Sequence, residues 1–423
     1  MTTVETAKAR DTARAHLLMT YICTGLFFML VPGTFLGVMN LVQISGRESV
    51  SLVSSAWLQA HGHAQVFGWI GSFILGIGFY AVPKLRDGAT SALRLAWASW
   101  AMWTSGVALR WMANVYLWHW RVLLPLSASL ELIAFLIFFR AVAQHPPSAP
   151  GKPRMEPFVW VVASGATGLL VALLLNLSSA VALARTSVSP TLPHAFDQHL
   201  LVVLAWGFMT PFVWGFTAKW MPVLLGLRPT RVTLLLAAPI VSAIGILLTL
   251  LGWGAMATWL FVVATVLAIL ALRLFEPAEH AAKTRGVHSS FPFFVRMAYG
   301  WLLLAAILGV AAAAWDSSGG IWGASRHALT VGFVSVMVFS VGPRVLPAFA
   351  GLRPLWSPAL MLLALVLLTI GCFLRVSSEI LAYQGYATWA WSVLPVSAII
   401  ELAAVTTFAV NLGGSFLLDP ATA

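Results

Sequence analysis

The chain is 423 residues long, 60% hydrophobic and only 9% charged, with a formal net charge of +11 and a mean hydropathy of +0.91. A water-soluble domain carries about 25% charged and 45–50% apolar residues, so the soluble, disordered, collagen-like, coiled-coil and disulfide-rich secreted classes are all excluded. The two cysteines, Cys23 and Cys372, are too few for a thiolate zinc site or an iron–sulfur cluster held by this chain alone, and both read as small buried side chains.

Apolar runs of about 20 residues cross a hydrocarbon core of about 30 Å as helices. Twelve occur in chain order, over 17–41, 63–83, 92–118, 122–143, 158–184, 199–221, 231–252, 256–275, 297–315, 326–347, 356–382 and 388–412. Strand-type alternation is sustained nowhere, which predicts an all-α membrane protein and not a β-barrel. The first run is long and no cleavage site follows it, so it reads as a retained helix. Threading the chain through twelve spans puts 17 Lys and Arg on one side, four (Arg47, Arg121, Arg185 and Arg326) on the other, and Arg110, Lys219 and Arg375 within the membrane. That asymmetry predicts both termini in the cytoplasm, and assigns the positive charge to lipid headgroups of the bilayer and not to nucleic acid.

An internal repeat runs through the spans. His63-Ala-Gln-Val-Phe-Gly68 reaches Pro83, and His327-Ala-Leu-Thr-Val-Gly332 reaches Pro347, each twenty residues after its histidine. Leu109-Arg110 matches Leu374-Arg375, and the Leu124-Pro125 segment with Glu131 matches the Leu394-Pro395 segment with Glu401. The middle third follows more weakly: Pro222, Gly226, Arg228 and Pro229 match Pro347, Gly351, Arg353 and Pro354, with His199 about one helical turn out of register. The expected architecture is three four-helix pseudo-repeats over 15–145, 156–276 and 295–415 in one membrane domain.

Six of the ten histidines, His61, His63, His119, His194, His199 and His327, gather on the side away from the positive loops. Polar side chains at membrane depth are costly and face a bundle interior or cavity. Imidazole is the natural axial ligand of haem iron, and two imidazoles from opposing helices suit a six-coordinate haem. Arg110 and Glu131 lie at matching depth around one hairpin, as do Arg375 and Glu401 around another. Either pair fastens its hairpin, or the arginines reach haem propionates, or the glutamates relay protons.

Three arcs of four helices with metal-ligating histidines on the second helix of each resemble the catalytic subunit of the haem-copper oxidases. The segments His61-Gly-His63-Ala-Gln-Val-Phe-Gly68 and His327-Ala-Leu-Thr-Val-Gly332 resemble more specifically the NnrS family, twelve-span bacterial haem proteins that also bind copper and are associated with nitric oxide metabolism and nitrosative stress. The resemblance implies haem b held between the second and tenth spans by His63 and His327, with Arg110 and Arg375 toward the cofactor. It implies copper near His199, with His61 and His194 as auxiliary ligands. A bacterial inner membrane, nitric oxide or another small gas as ligand, and an electron-transfer partner at the outer face go with it. Ala64 stands where that family usually carries an acid. The seventh span lacks the paired histidines of an oxidase copper site and no tyrosine follows His199 by one turn, so a proton-pumping oxygen reductase is not expected. The function expected is nitric oxide handling or respiratory electron transfer. The rivals are a twelve-helix secondary transporter, against which stands the lack of matched mid-membrane helix breaks, and a non-catalytic oxidase-like subunit that anchors soluble partners.

Overall fold

The computed structural model describes residues 3–85, 93–143, 156–349 and 355–417, and these form helices with no strand among them. Twelve long helices follow one another where the twelve apolar runs lie. Helix one covers 3–47, helix two 55–85, helix three Leu93–Val115, helix four Trp120–Ala143, helix five Pro157–Thr186 and helix six His194–Leu225. Helix seven covers Val232–Leu250, helix eight Gly254–Leu272, helix nine Phe291–Trp315, helix ten Gly320–Phe349, helix eleven Pro358–Tyr383 and helix twelve Ala390–Leu417. Among the described residues, eleven of these helices are long and apolar enough to cross a membrane. Helix three has the length, but it interleaves Arg94 and Arg110 with four tryptophans and several small polar residues. The expected loop positions Arg86, His145, Lys152, Arg154, Gly351, Arg353 and Pro354 lie outside the described residues.

Helices two, six and ten start earlier than their apolar runs. Ser54 caps helix two by accepting from the Trp57 N–H at 3.4 Å, and Gly319, in the left-handed region at φ 83°, turns the chain into helix ten. The polar first turns stay helical because their side chains find partners. Gln59 bonds both backbone groups of Leu192, at 3.0 and 2.9 Å, and Arg326 donates to the Gln198 side chain. His63, His199 and His327 therefore lie one to two turns inside their helices and not at the tips. Cys372 is buried as expected, while Cys23 is exposed.

Helices two, six and ten each contain a π-helical stretch, over Ala64–Gly71, Val203–Met209 and Ala328–Ser335. Their first residues are spaced by the same intervals as the sequence matches. A π turn widens the helix and leaves carbonyls to be satisfied from outside. The Phe67 carbonyl accepts from Trp103 Nε1 at 3.0 Å, and the Trp206 carbonyl accepts from Ser242 Oγ at 2.9 Å. At the far end of the stretch, Thr210 Oγ1 donates to the Ala205 carbonyl at 2.7 Å and Ser335 Oγ to the Thr330 carbonyl at 2.8 Å, both five residues back. Helix one has a further π stretch, Met29–Phe35, with Pro32 inside it, where the missing N–H rules out an ordinary α-helical bond.

A buried polar network as candidate functional site

Glu131 on helix four is fully buried and closes one half of the network. Its Oε1 lies 2.7 Å from Nε2 of His63, and its Oε2 accepts from Asn176 Nδ2 at 3.2 Å. Asn176 in turn accepts from Arg110 Nη1 at 3.3 Å. Arg110 and Glu131 thus communicate through an amide from helix five and not by direct pairing. The His63 ring stacks on Phe67 one turn further along, with centroids 4.4 Å apart. Gly106 makes room for the carboxylate, since a Cβ there would stand 2.8 Å from Glu131 Cγ.

The matched positions on the other side are wired differently. Gly371 makes the same room for Glu401, whose Cγ would lie 2.6 Å from a Cβ at that glycine. Yet among the described residues Oε1 of Glu401 has no hydrogen-bond partner, and Arg375 pairs with Glu379 on its own helix, Nη2 to Oε1 at 3.4 Å. His327 Nδ1 lies 3.0 Å from the Gly323 carbonyl and 3.3 Å from Glu379 Oε2. Arg375 Nε and Nη1 have no hydrogen-bond partner among the described residues. Glu379 was not visible as a site residue in the sequence, although an arginine and a glutamate four apart in an apolar helix are a signal of pairing.

His61 faces a different neighbour from His63. Pro32 and the π stretch of helix one bring the Gly33 carbonyl to 2.8 Å from His61 Nδ1. Gly37 opens the notch in which the ring lies, because a Cβ there would stand 2.7 Å from His61 Cε1. The ring is in electrostatic reach of His327 and Arg375. His61 and His327 therefore share one arrangement, with Nδ1 against a glycine carbonyl and Nε2 without a hydrogen-bond partner among the described residues. Metal-ligating histidines are held in this way, their second nitrogen fixing tautomer and ring orientation. His63 is held through the other nitrogen.

Asp197 on helix six lies between the two clusters in charge and not in contact: Arg326, Arg110 and His194 are within its electrostatic reach, and Glu379 is within that of Arg326. Hydrogen bonds and ion pairs join His63, Glu131, Asn176 and Arg110 in one cluster and His327, Glu379 and Arg375 in the other. His194 is exposed at the start of helix six and His199 is half-buried, neither with a hydrogen bond from its ring among the described residues. Among the described residues no group of three or more His, Cys, Asp or Glu could hold a metal ion. The set expected for copper, His199 with His61 and His194, is not gathered at one point.

No curated protein matches the chain. A family described only as a domain of unknown function (DUF8744) matches residues 235–411, about two-fifths of the chain. The match takes in His327, Arg375, Glu379 and Glu401 but none of the network residues on helices two to six, so the half of the site that lies within this similarity is the one built around His327.

Proposed function

We propose that the chain is a multi-pass b-type haem protein of a bacterial inner membrane, with its termini in the cytoplasm and its histidine end outward, that serves nitric oxide handling or respiratory electron transfer. The observation that carries the reading is the shared state of His61 and His327: each imidazole is anchored through Nδ1 on a glycine carbonyl and offers an unpartnered Nε2, on helices two and ten. These two residues would hold the haem, which when bound would supply one-electron chemistry. The chain's own part is to orient the rings by Gly33 and Gly323, to present the free N–H groups of Arg375 to an anionic edge of the cofactor, and to keep His63 on Glu131. The π stretches on helices two, six and ten, spaced by the same intervals as the sequence matches, support three pseudo-repeated units in a layout like that of the haem-copper oxidases.

The test is the visible spectrum of the purified protein, oxidised and dithionite-reduced, beside His61→Ala, His63→Ala and His327→Ala. A six-coordinate b-type spectrum that turns high-spin in His61→Ala and His327→Ala but stays six-coordinate in His63→Ala is expected. Loss in His63→Ala and retention in His61→Ala would return the ligand pair to His63 and His327. A folded, colourless protein would remove the haem reading and put the secondary transporter first.

A further inference from the structure

At the end of the bundle opposite His61, His63 and His327, helices five, six and seven leave a groove of about 620 Å³, with His280 in its lining. Its floor is apolar, from Pro222, Val223 and Leu235, and its rim carries Glu156, Lys219, Glu279 and Lys283. The rim is held in place by backbone bonds. The Glu279 and His280 N–H groups donate to the Gly226 carbonyl at 2.8 and 3.2 Å, and the Lys283 N–H donates to the Leu224 carbonyl at 2.8 Å. Gly226 has φ 65°, and a Cβ there would run into the His280 carbonyl, so only glycine lets the loop lie this close.

Charge accounting in the groove leaves a surplus of one sign. Glu156 is matched by Lys219 at 2.6 Å, and Glu279 by Arg228 at 3.1 Å. Lys219 also lies 4.8 Å over the Phe158 ring. Just outside, Glu276 is matched by both Arg231 and Arg273, each at 2.7 Å. Lys283 is exposed and has no carboxylate in ion-pair distance among the described residues. Helices five and seven both begin at the groove, and neither N-cap side chain bonds the first-turn N–H groups, which adds partial positive charge. Phe158 and Val223, the latter 57% exposed, put an apolar wall beside this positive rim. An aromatic residue next to a cationic helix end is the composition of a membrane interface.

We infer that this groove binds the headgroup of an anionic phospholipid, its phosphate at Lys283 and its acyl chains along the wall of Val223 and Phe158. The inference rests on the membrane-spanning helices and is independent of the haem reading. It is tested by thermal unfolding of the full chain in neutral detergent during titration with dioleoylphosphatidylglycerol, with dioleoylphosphatidylcholine and inorganic phosphate as separate arms. A saturable rise in the unfolding midpoint with phosphatidylglycerol alone is expected. Lys283→Ala should weaken the apparent affinity by about five-fold, the effect of one basic residue near an anionic headgroup. Lys283→Arg should restore it, and Arg140→Ala, an exposed cation at the same end on helix four, should leave it unchanged. An equal rise with phosphatidylcholine or phosphate, an unaltered titration in Lys283→Ala, or an equal loss in Arg140→Ala overturns the inference.

Discussion

His61 and His63 lie two residues apart on helix two, and a helix turns about 200° over that interval. They consequently face opposite sides, His63 toward Glu131 and His61 toward helix one and His327. The motif around them was legible in the sequence, but which of the two rings keeps a free Nε2 was not, because that is decided by Pro32, Gly33 and Gly37 on another helix. Gly37→Ala tests this without touching either histidine. Its new Cβ would stand 2.7 Å from His61 Cε1 and push the ring from its notch. The expected result is a high-spin spectrum with the fold retained, whereas Gly46→Ala on the same helix, with nothing within 4 Å of its new Cβ, leaves the spectrum unchanged. Asn176 is a second residue that sequence reasoning passed over, a single amide within an apolar run. Asn176→Ala leaves Glu131 Oε2 and Arg110 Nη1 buried without this partner. It should lower stability by about 1–3 kcal/mol in a detergent unfolding assay.

At the scale of the helix, hydropathy located all twelve elements, since length and apolarity are local properties that a window can read. It could not locate the π stretches, which depend on hydroxyls and neighbours arriving from other helices. Thr210→Val and Ser335→Ala each remove a bond to the carbonyl five residues back. Each should cost about 1 kcal/mol, read as a fall in the unfolding midpoint. A control at Thr406, whose exposed hydroxyl bonds the Leu402 carbonyl four residues back in an ordinary α-helical turn, should change little. Beyond the helix ends, Glu276 fastens the start of helix seven to the end of helix eight. The Arg273 hydrogen bond, followed by the charges of Arg231 and Arg273, holds its carboxyl below the usual glutamate range. A depressed folded value means that the contribution is fully present above the unfolded value, about pH 4.3. It is lost as pH falls through the folded value. The midpoint of Glu276→Gln should therefore differ from that of the parent at pH 6 and converge with it toward pH 3.

Across the whole molecule, the charged residues that the repeat made conspicuous are partnered unequally: Arg110 and Glu131 meet through Asn176, Arg375 pairs with Glu379, and Glu401 Oε1 has no hydrogen-bond partner among the described residues. A repeat reports equivalent positions within units; it is silent on the partners that one unit lends another, and Asp197 is such a loan. It stands on helix six with Arg110 of helix three and Arg326 of helix ten in electrostatic reach. Arg110 is buried, and Asp197 and Arg326 are half-buried. Among the described residues Asp197 closes no ion pair within 4 Å, so its carboxylate acts over distance and is worth about 1 kcal/mol or less. Asp197→Asn should cost that much, and Arg326→Gln should also destabilise because it takes a cation from the reach of both Asp197 and Glu379. If Asp197 joins the units mainly through Arg326, the double variant should lose less than the two single losses added together, by about 0.5 kcal/mol. Strict additivity in that cycle would mean that Asp197 answers chiefly to Arg110, and that the third helix, not the tenth, is where the middle of the chain is anchored.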